Sequence, residues 1–361
     1  MILDIAIFVI VLAVLVLAHE LGHFLAARHN GVRVDEFGFG FPPRLFGFKY
    51  GETLYSFNLF PIGGFVRIFG EDDSEALDSR SFASKNIRQK AVMLLGGVFF
   101  NIVLAYFIFS FLVGIGMPAD AEDPMWGSAV LDPKLTAIEI IAGSAAQKAG
   151  LKTGDIILSL EYGKEAKIYP LSVSDMQRFT REYAGKNINM EIERGSQKLV
   201  LNALLADGSG EGAYLGAASA VIGTARAPWY LAPFAGLQIT LNVLTRTIYG
   251  FFFIFKLLFS GNSVAGFVSG PVGIFSIIAG TFDFGWKFLV SLIAVISVNL
   301  AVINLIPFPA LDGGRLLFLA LEGLRGKPVS RKIGGLAHAF GFAILIMLMA
   351  IITYLDVKSR L

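Results

Sequence analysis

Two histidines and a glutamate near the N-terminus have the residue types and the spacing of a metal site. The segment from His19 to His23 reads His-Glu-Leu-Gly-His, so on a helix both imidazoles lie on one face. Both rings can bind one Zn²⁺ while Glu20 lies beside them as a base. These residues end the apolar run from Ile2 to Leu17, and ionisable side chains in a membrane helix are functional by default. The alternative is that these three residues bind no metal and simply lie at the end of the helix, in the membrane interface.

A catalytic zinc takes three protein ligands and keeps one position open, so a third ligand is needed. Asp312 is the best candidate, since it follows a proline-rich turn, precedes two glycines and needs a cation as partner. The alternative is an N-cap role for a short helix predicted from Gly314 to Leu324. His29 and His338 are poorly placed, the first in a basic loop and the second at the start of the last helix.

The chemistry that these residues could perform is the hydrolysis of a peptide bond. Zinc lowers the pKa of its bound water towards about 7 and polarises the scissile carbonyl. Glu20 would take the proton and deliver it to the leaving amine. Asn304, one or more helix turns before Asp312, is a candidate hydrogen-bond donor to the oxyanion or to the substrate backbone. A polar contact between helices explains Asn304 equally well.

Composition places the chain in a membrane. Of its 361 residues 55% are hydrophobic and only 16% are charged, against about 25% charged in a soluble domain. The net charge of +2 does not suggest a nucleic-acid partner. The absence of cysteine excludes disulfides, cysteine nucleophiles and thiolate metal sites.

About four segments are long and apolar enough to span the bilayer as helices. They are Ile2 to Ala27, Ala91 to Gly116, Trp286 to Phe308 and Gly334 to Tyr354. A fifth stretch, 237–259, contains Arg246 and Lys256, which favours an amphipathic helix lying at the interface.

Basic residues in the loops predict the orientation. They concentrate between residues 28 and 90 and again after Phe308, so both loops are expected in the cytoplasm and both termini outside. One crossing between helices one and three makes these two helices parallel, which places His19, His23 and Asp312 near the cytoplasmic face. A crossing by 237–259 would move Asp312 to the opposite side, so the metal site and the interfacial helix are predicted together.

Two further units are predicted from alternation and turn residues. A β-element between residues 28 and 90 follows helix one and could dip into the membrane. Strands, a short helix and a capped helix between Ala129 and Leu205 predict a small α+β domain, followed by a flexible linker at 208–212. The predicted organisation is an N-terminal membrane half (1–123), an inserted extracytoplasmic domain (124–207) and a C-terminal membrane half (208–361).

These motifs together resemble the site-2 protease family of intramembrane zinc metalloproteases, over nearly the whole chain. Asn304 to Gly314 is similar to the family's second motif, Asn-x-x-Pro-x-Pro-x-Leu-Asp-Gly-Gly. Matches to further family segments occur at three other places. They are Pro61 to Val66, similar to the membrane-associated β-loop; Ser269 to Gly273, similar to the segment before helix three; and Gly150 to Asp155, which looks like part of a PDZ domain.

The resemblance implies that Asp312 is the third zinc ligand and that Asn304, Asn101, Gly63 and Gly64 are candidates for contact with substrate or oxyanion. The family's proline before Asn101 is missing here, so helix packing is an equally good role for this residue. One PDZ-like domain, where the best-known bacterial members have two, puts paired gating in doubt.

The implied substrate is a single-pass membrane protein, such as an anti-sigma factor, in the inner or plasma membrane. A PDZ-like domain could bind a peptide C-terminus, filter by size or be a spacer. Two alternatives from other classes are a metal transporter or sensor and an inactive PDZ scaffold. Acidic residues are absent from helices two and four, which disfavours the first, and an intact base between two histidines disfavours the second.

Overall fold

The computed structural model describes residues 2–71, 78–123, 130–141, 143–195, 197–207, 214–261, 270–327 and 329–358. Its helices and strands are numbered separately in chain order. The helices are α1 (Ile2–His29), α2 (Ile87–Ile115), α3 (Ala145–Lys148), α4 (Val173–Glu182), α5 (Ala232–Phe259), α6 (Pro271–Asp283), α7 (Trp286–Leu305), α8 (Asp312–Arg325) and α9 (Arg331–Lys358). The strands are β1 (Val34–Tyr50), β2 (Thr53–Ile68), β3 (Met117–Asp120), β4 (Leu131–Ile140), β5 (Ile156–Tyr162), β6 (Ala166–Ile168), β7 (Asn187–Arg194), β8 (Gln197–Leu204) and β9 (Ala217–Ala225).

Helices α1, α2, α5, α7 and α9 are the described helices whose length and composition would let them cross a bilayer. Four of them correspond to the predicted spans, which agrees with a multi-pass helical membrane protein. Helix α7 ends at Leu305, short of the predicted Phe308, and Ile306 is already extended. The cause is Pro307, because a proline disfavours helical geometry in the residue before it.

Helices α1 and α2 form a close antiparallel pair. Leu15 packs in one cluster with Leu104, and further along α1 the backbone of Gly22 lies on that of Gly96. A Cβ atom built on Gly22 would lie 2.1 Å from the Gly96 carbonyl oxygen. Only glycine at this crossing allows so close an approach of the two backbones.

Helix α7 also runs antiparallel to α2. The Ser297 hydroxyl donates to the backbone oxygen of Asn101 over 2.8 Å, and the Lys287 Nζ donates to the backbone oxygen of Ile115 over 3.1 Å. Since α1 and α7 both run against α2, they are parallel to each other, in agreement with the prediction. Their C-terminal ends therefore lie at the same end of the bundle.

The structure differs from the prediction for 237–259. Instead of lying apart from the bundle, α5 packs lengthwise against α2 and α7, and the Thr247 hydroxyl donates to Asn299 Oδ1 over 2.8 Å. Arg246, whose charge favoured the interface, is neutralised by Asp123 through two hydrogen bonds of 2.6 and 2.7 Å. By length and composition, α5 is a fifth candidate span in addition to the four predicted.

A crossing by α5 would not displace Asp312, so the predicted dependence of the metal site on an interfacial α5 is wrong. The residue Ala227, just before α5, donates to the Val113 carbonyl, and α7 begins where Lys287 meets Ile115. Both helices therefore start at the C-terminal end of α2. The chain between them must return to that end, and α6, which was not predicted as a helix, lies on this return path.

Strands β1 and β2 form the predicted β-element as a long curled hairpin. The start of β1 pairs twice, so that Phe37 has both Tyr55 and Val66 as partners. The hairpin thus becomes a sheet of four segments, and the segment from Gly64 to Ile68 forms the edge next to α1. Large apolar side chains of the hairpin are exposed. They include Phe41, Leu45, Phe46, Phe48, Tyr50 and Phe60.

The second sheet has the strand order β3-β9-β4-β5-β7-β8, and β6 is added to β5. Helices α3 and α4 pack on it around a core that contains Leu160 and Met190. The sheet includes β3 and β9, which lie outside the predicted limits of 124 and 207. Strand β9 pairs with β3 and β4, which lie far from it along the chain, so local composition could not predict these limits. The predicted linker at 208–212 lies outside the described residues.

Candidate metal centre

The last third of α1 presents its two histidines to a single point. The Nε2 atoms of His19 and His23 are 3.2 Å apart and lie 3.1 and 3.3 Å from Asp312 Oδ2. The ligand atoms of all three residues lie within 4.8 Å of one another. The side chains are only 12–16% exposed. The structure thus brings together the three residues that the sequence predicted as ligands.

The turn between α7 and α8 positions Asp312. Cβ atoms built on Gly313 and Gly314 would lie 2.3 Å from the carbonyl oxygens of Ile306 and Phe308, so the turn folds back tightly onto the start of α8. Asp312 is the first residue of α8, the N-cap is the residue before it, and no side chain caps this end. The alternative N-cap role of Asp312 is therefore wrong.

Ala310 carries backbone strain in the same turn. Its φ angle of +86° lies in the region that favours glycine, at a cost of about 1–2 kcal/mol for a residue with a Cβ atom. Such strain persists only where the surrounding structure fixes the chain, and it concentrates at functional sites.

Glu20 lines the same cavity as the three ligands, and the cavity has a volume of about 210 Å³. Gly64, at the edge of the hairpin, lies directly against α1, because a Cβ atom built there would be 3.2 Å from Glu20 Cγ. The hairpin edge continues along the cavity with Phe65 and Val66. A base, a ligand set and the outer segment of the hairpin therefore meet in one cleft.

One face of α2 supports the two imidazoles, and the sequence reasoning missed most of it. His23 Nδ1 lies 2.9 Å from the carbonyl oxygen of Met93, and His19 Nδ1 lies 3.3 Å from Asn101 Nδ2. Between them, a Cβ atom on Gly97 would lie 2.4 Å from His23 Nε2 and 2.5 Å from His19 Cε1. The available signal was the spacing 93, 97 and 101, which is one residue per turn on a single face.

The chemistry of the donors fits a divalent transition metal. The set consists of two imidazole nitrogens and one carboxylate oxygen, which suits Zn²⁺ with a fourth position left open. Asp312 Oδ2 is buried, and its neighbours among the described residues are the Nε2 atoms of His19 and His23, the two atoms that would bind the same ion. A buried carboxylate is costly unless a cation compensates its charge.

The remaining predicted residues lie at varying distances from this cluster. Asn101 is fully buried behind His19. Asn304, in the last turn of α7, is outside the set of described residues that line the cavity. Gly63 lies against the ring of Phe41 with a φ of +101°, where a Cβ atom would be 2.7 Å from Phe41 Cε2.

The two other histidines differ from each other in position. His29 is exposed at the end of α1 and lines a groove between α1 and α2 instead of the cavity at the ligands. His338 lines the ligand cavity from α9, so the prediction that it is poorly placed is wrong as to position. It is nevertheless not a member of the three-residue ligand cluster found within the described ranges.

Comparison with known proteins agrees with this geometry. Residues 7–348 match the model of peptidase family M50. A relative from Nostoc sp. is 35% identical over 330 residues, which cover 90% of this chain and 87% of the relative. The zinc metalloprotease RasP of Geobacillus kaustophilus is 27% identical over 437 residues, covering 98% of this chain and 97% of RasP. A relative from Synechocystis sp. is 34% identical over 359 residues, covering 97% and 93%. The chain therefore belongs to peptidase family M50 and is a metalloprotease of the site-2 protease type.

Proposed function

We propose that this chain is an intramembrane endopeptidase that uses one zinc ion to cleave single-pass membrane proteins. The relatives compared above include proteins named as zinc metalloproteases, and zinc is the cofactor. The observation that supports the proposal most strongly is the convergence of His19 and His23, in the last third of α1, with Asp312, just after the end of the parallel helix α7. A metal centre in that position would act on peptide bonds at membrane depth.

The residues of the cleft would have different roles in the hydrolysis of the peptide bond. His19, His23 and Asp312 would hold the metal. When bound there, zinc supplies Lewis acidity, which acidifies water and polarises a carbonyl. Glu20 would accept the proton from the attacking water and return it to the leaving amine.

The hairpin edge would hold the substrate in an extended form. A transmembrane helix hides its peptide bonds, so the cleaved stretch must unwind before it reaches the metal. Gly64 and Val66 belong to an edge segment that borders the ligand cavity, and an extended peptide can add to such an edge through main-chain hydrogen bonds. Pairing of the substrate with this edge would place the scissile bond beside Glu20.

Cross-linking tests this mode of binding. A photoreactive residue at Val66 is expected to cross-link to a bound substrate, because Val66 lines the ligand cavity. The same residue at Leu45, which is 61% exposed on the opposite side of the hairpin, serves as the control. Equal cross-linking at both positions would show that the substrate does not select the edge beside α1.

The orientation proposed from loop charges places both termini and the β3–β9 sheet outside, with the cleft near the cytoplasmic face. The sheet domain would act on substrates before they reach the cleft, as a binder of peptide C-termini or as a size filter. Reagents that label only the cytoplasmic side would test this, with single cysteines at Lys164 in the sheet domain and at Lys49 in the hairpin. Labelling at Lys164 would overturn the orientation.

The experiment for the function itself uses the full chain in lipid vesicles with a single-pass model substrate. Cleavage within the substrate's apolar segment is expected, with loss after removal of zinc by a chelator and recovery on adding one equivalent. Zinc flux across the vesicle membrane without cleavage would instead favour a transporter.

A further inference from the structure

We infer that Asn101 is a positioning residue for the metal centre: its side-chain carbonyl oxygen accepts the Nδ1–H of His19 and leaves Nε2 free to bind zinc. The inference rests on the proposed ligation by His19, and it replaces the substrate contact expected for Asn101 from the sequence. The proposed role of Asn101 is to act on Nδ1, the ring nitrogen of His19 that would not bind the metal.

Burial separates Asn101 from the substrate cleft. The residue is 0% exposed, and it lies on α2, on the far side of the His19 ring from the cavity. Its backbone oxygen accepts the hydroxyl of Ser297 over 2.8 Å, which ties this turn of α2 to α7. A substrate segment bound along the hairpin edge would therefore meet the imidazole before it met the amide.

Each of the two ligand histidines has a polar partner on α2 at its Nδ1 atom. His23 Nδ1 lies 2.9 Å from the carbonyl oxygen of Met93, an acceptor only. That hydrogen bond places the proton of a neutral ring on Nδ1 and leaves the Nε2 lone pair directed at the centre. His19 must adopt the same tautomer to bind the same ion, and the only side-chain polar group recorded at its Nδ1 within the described chain is the amide of Asn101.

The amide has an oxygen available for this purpose. Asn101 Nδ2 is the end that lies 3.3 Å from His19 Nδ1, while Oδ1 is buried without a hydrogen-bond partner among the described residues. A half-turn of the amide exchanges its two ends and brings the oxygen to Nδ1. With the nitrogen donating instead, the ring proton would lie on Nε2, and His19 could not bind the metal.

The expected size of the effect follows from outer partners of metal-bound histidines generally. Removal of such a partner lowers metal affinity by about 10- to 100-fold. Asn101→Leu, which keeps the volume and removes the polar group, is expected to weaken zinc binding by about this factor in competition with a chelator. Asn101→Asp, which retains an acceptor oxygen, should bind zinc within about threefold of wild type.

A second measurement separates positioning from general damage. In metal-free protein with ¹⁵N-labelled histidine, His19 should carry its proton on Nδ1 in the wild type and in Asn101→Asp. In Asn101→Leu this preference should be lost, while His23 keeps its own. Ser110→Ala, which removes another buried polar atom of α2 that lacks a described partner, is the control and should leave zinc affinity unchanged.

The outcomes distinguish this inference from the proposed function. Wild-type zinc affinity in Asn101→Leu, or equal losses in the Leu and Asp variants, would overturn the role of Asn101 while leaving the protease assignment intact. A wild-type protein that binds no zinc would overturn the proposed function itself. Unchanged zinc affinity with a raised KM in Asn101→Leu would return Asn101 to substrate binding.

Discussion

A purified Glu20→Gln variant is expected to lose cleavage of a membrane substrate by about 10²- to 10⁴-fold, the range that general acid–base catalysis contributes. Glutamine has nearly the same shape but cannot accept the proton of the attacking water. Because Glu20 lines the cavity without belonging to the ligand cluster, the variant should still bind one zinc. Initial rates and zinc content of the same preparation measure both effects.

Glu165→Gln provides the matched control, since Glu165 is exposed in the sheet domain and distant from the cleft. It should cleave at the wild-type rate. A Glu20→Gln preparation that retains more than about a tenth of wild-type activity, far above the range for loss of a general base, would show that another group activates the water.

Gly97→Ala is expected to abolish zinc binding, although it adds only one methyl group and changes none of the three ligand residues. The added carbon would lie 2.4 Å from His23 Nε2 and 2.5 Å from His19 Cε1. Both contacts are far below van der Waals separation, and a packed helix pair relaxes only partly. One or both rings must therefore leave the centre, and zinc content should fall well below one per chain.

Gly114→Ala separates this collision from any general effect of alanine in α2. A Cβ atom on Gly114 would lie 3.5 Å from Ala232, an ordinary contact. This variant should keep full zinc content and activity. Normal zinc content in Gly97→Ala would mean that the rings can move away from α2 without losing the metal, which would contradict the arrangement described for the centre.

The ligands could be predicted from the sequence because short-range rules determine most of their geometry. His19 and His23 lie one helical turn apart on any α-helix. Asp312 required one additional inference, that α1 and α7 are parallel, and the prediction of a single crossing between them supplied it. The tight turn before α8 could also be predicted from the sequence, since prolines and glycines specify backbone geometry locally.

The parts that could not be predicted depend on contacts between distant segments. The face of α2 formed by Met93, Gly97 and Asn101 has no motif of its own, and its meaning appears only when α1 lies against it. Strand β9 pairs with β3 and β4 across roughly a hundred residues of chain, so the limits of the sheet domain were drawn too narrowly. Arg246 was misread because its partner Asp123 is 123 positions away.

The most direct test of the central claim is zinc K-edge X-ray absorption combined with zinc affinity, on the full chain and on Asp312→Ala. The wild type should bind one zinc through nitrogen and oxygen ligands that include two imidazoles. Asp312→Ala should lose an oxygen ligand and bind zinc more than about tenfold more weakly. Loss of a residue that only hydrogen-bonds to a ligand already weakens metal binding by about tenfold or more, so loss of a ligand should cost at least as much. His29→Ala should match the wild type in both respects. A wild-type spectrum and affinity in Asp312→Ala would contradict a single ion held by His19, His23 and Asp312.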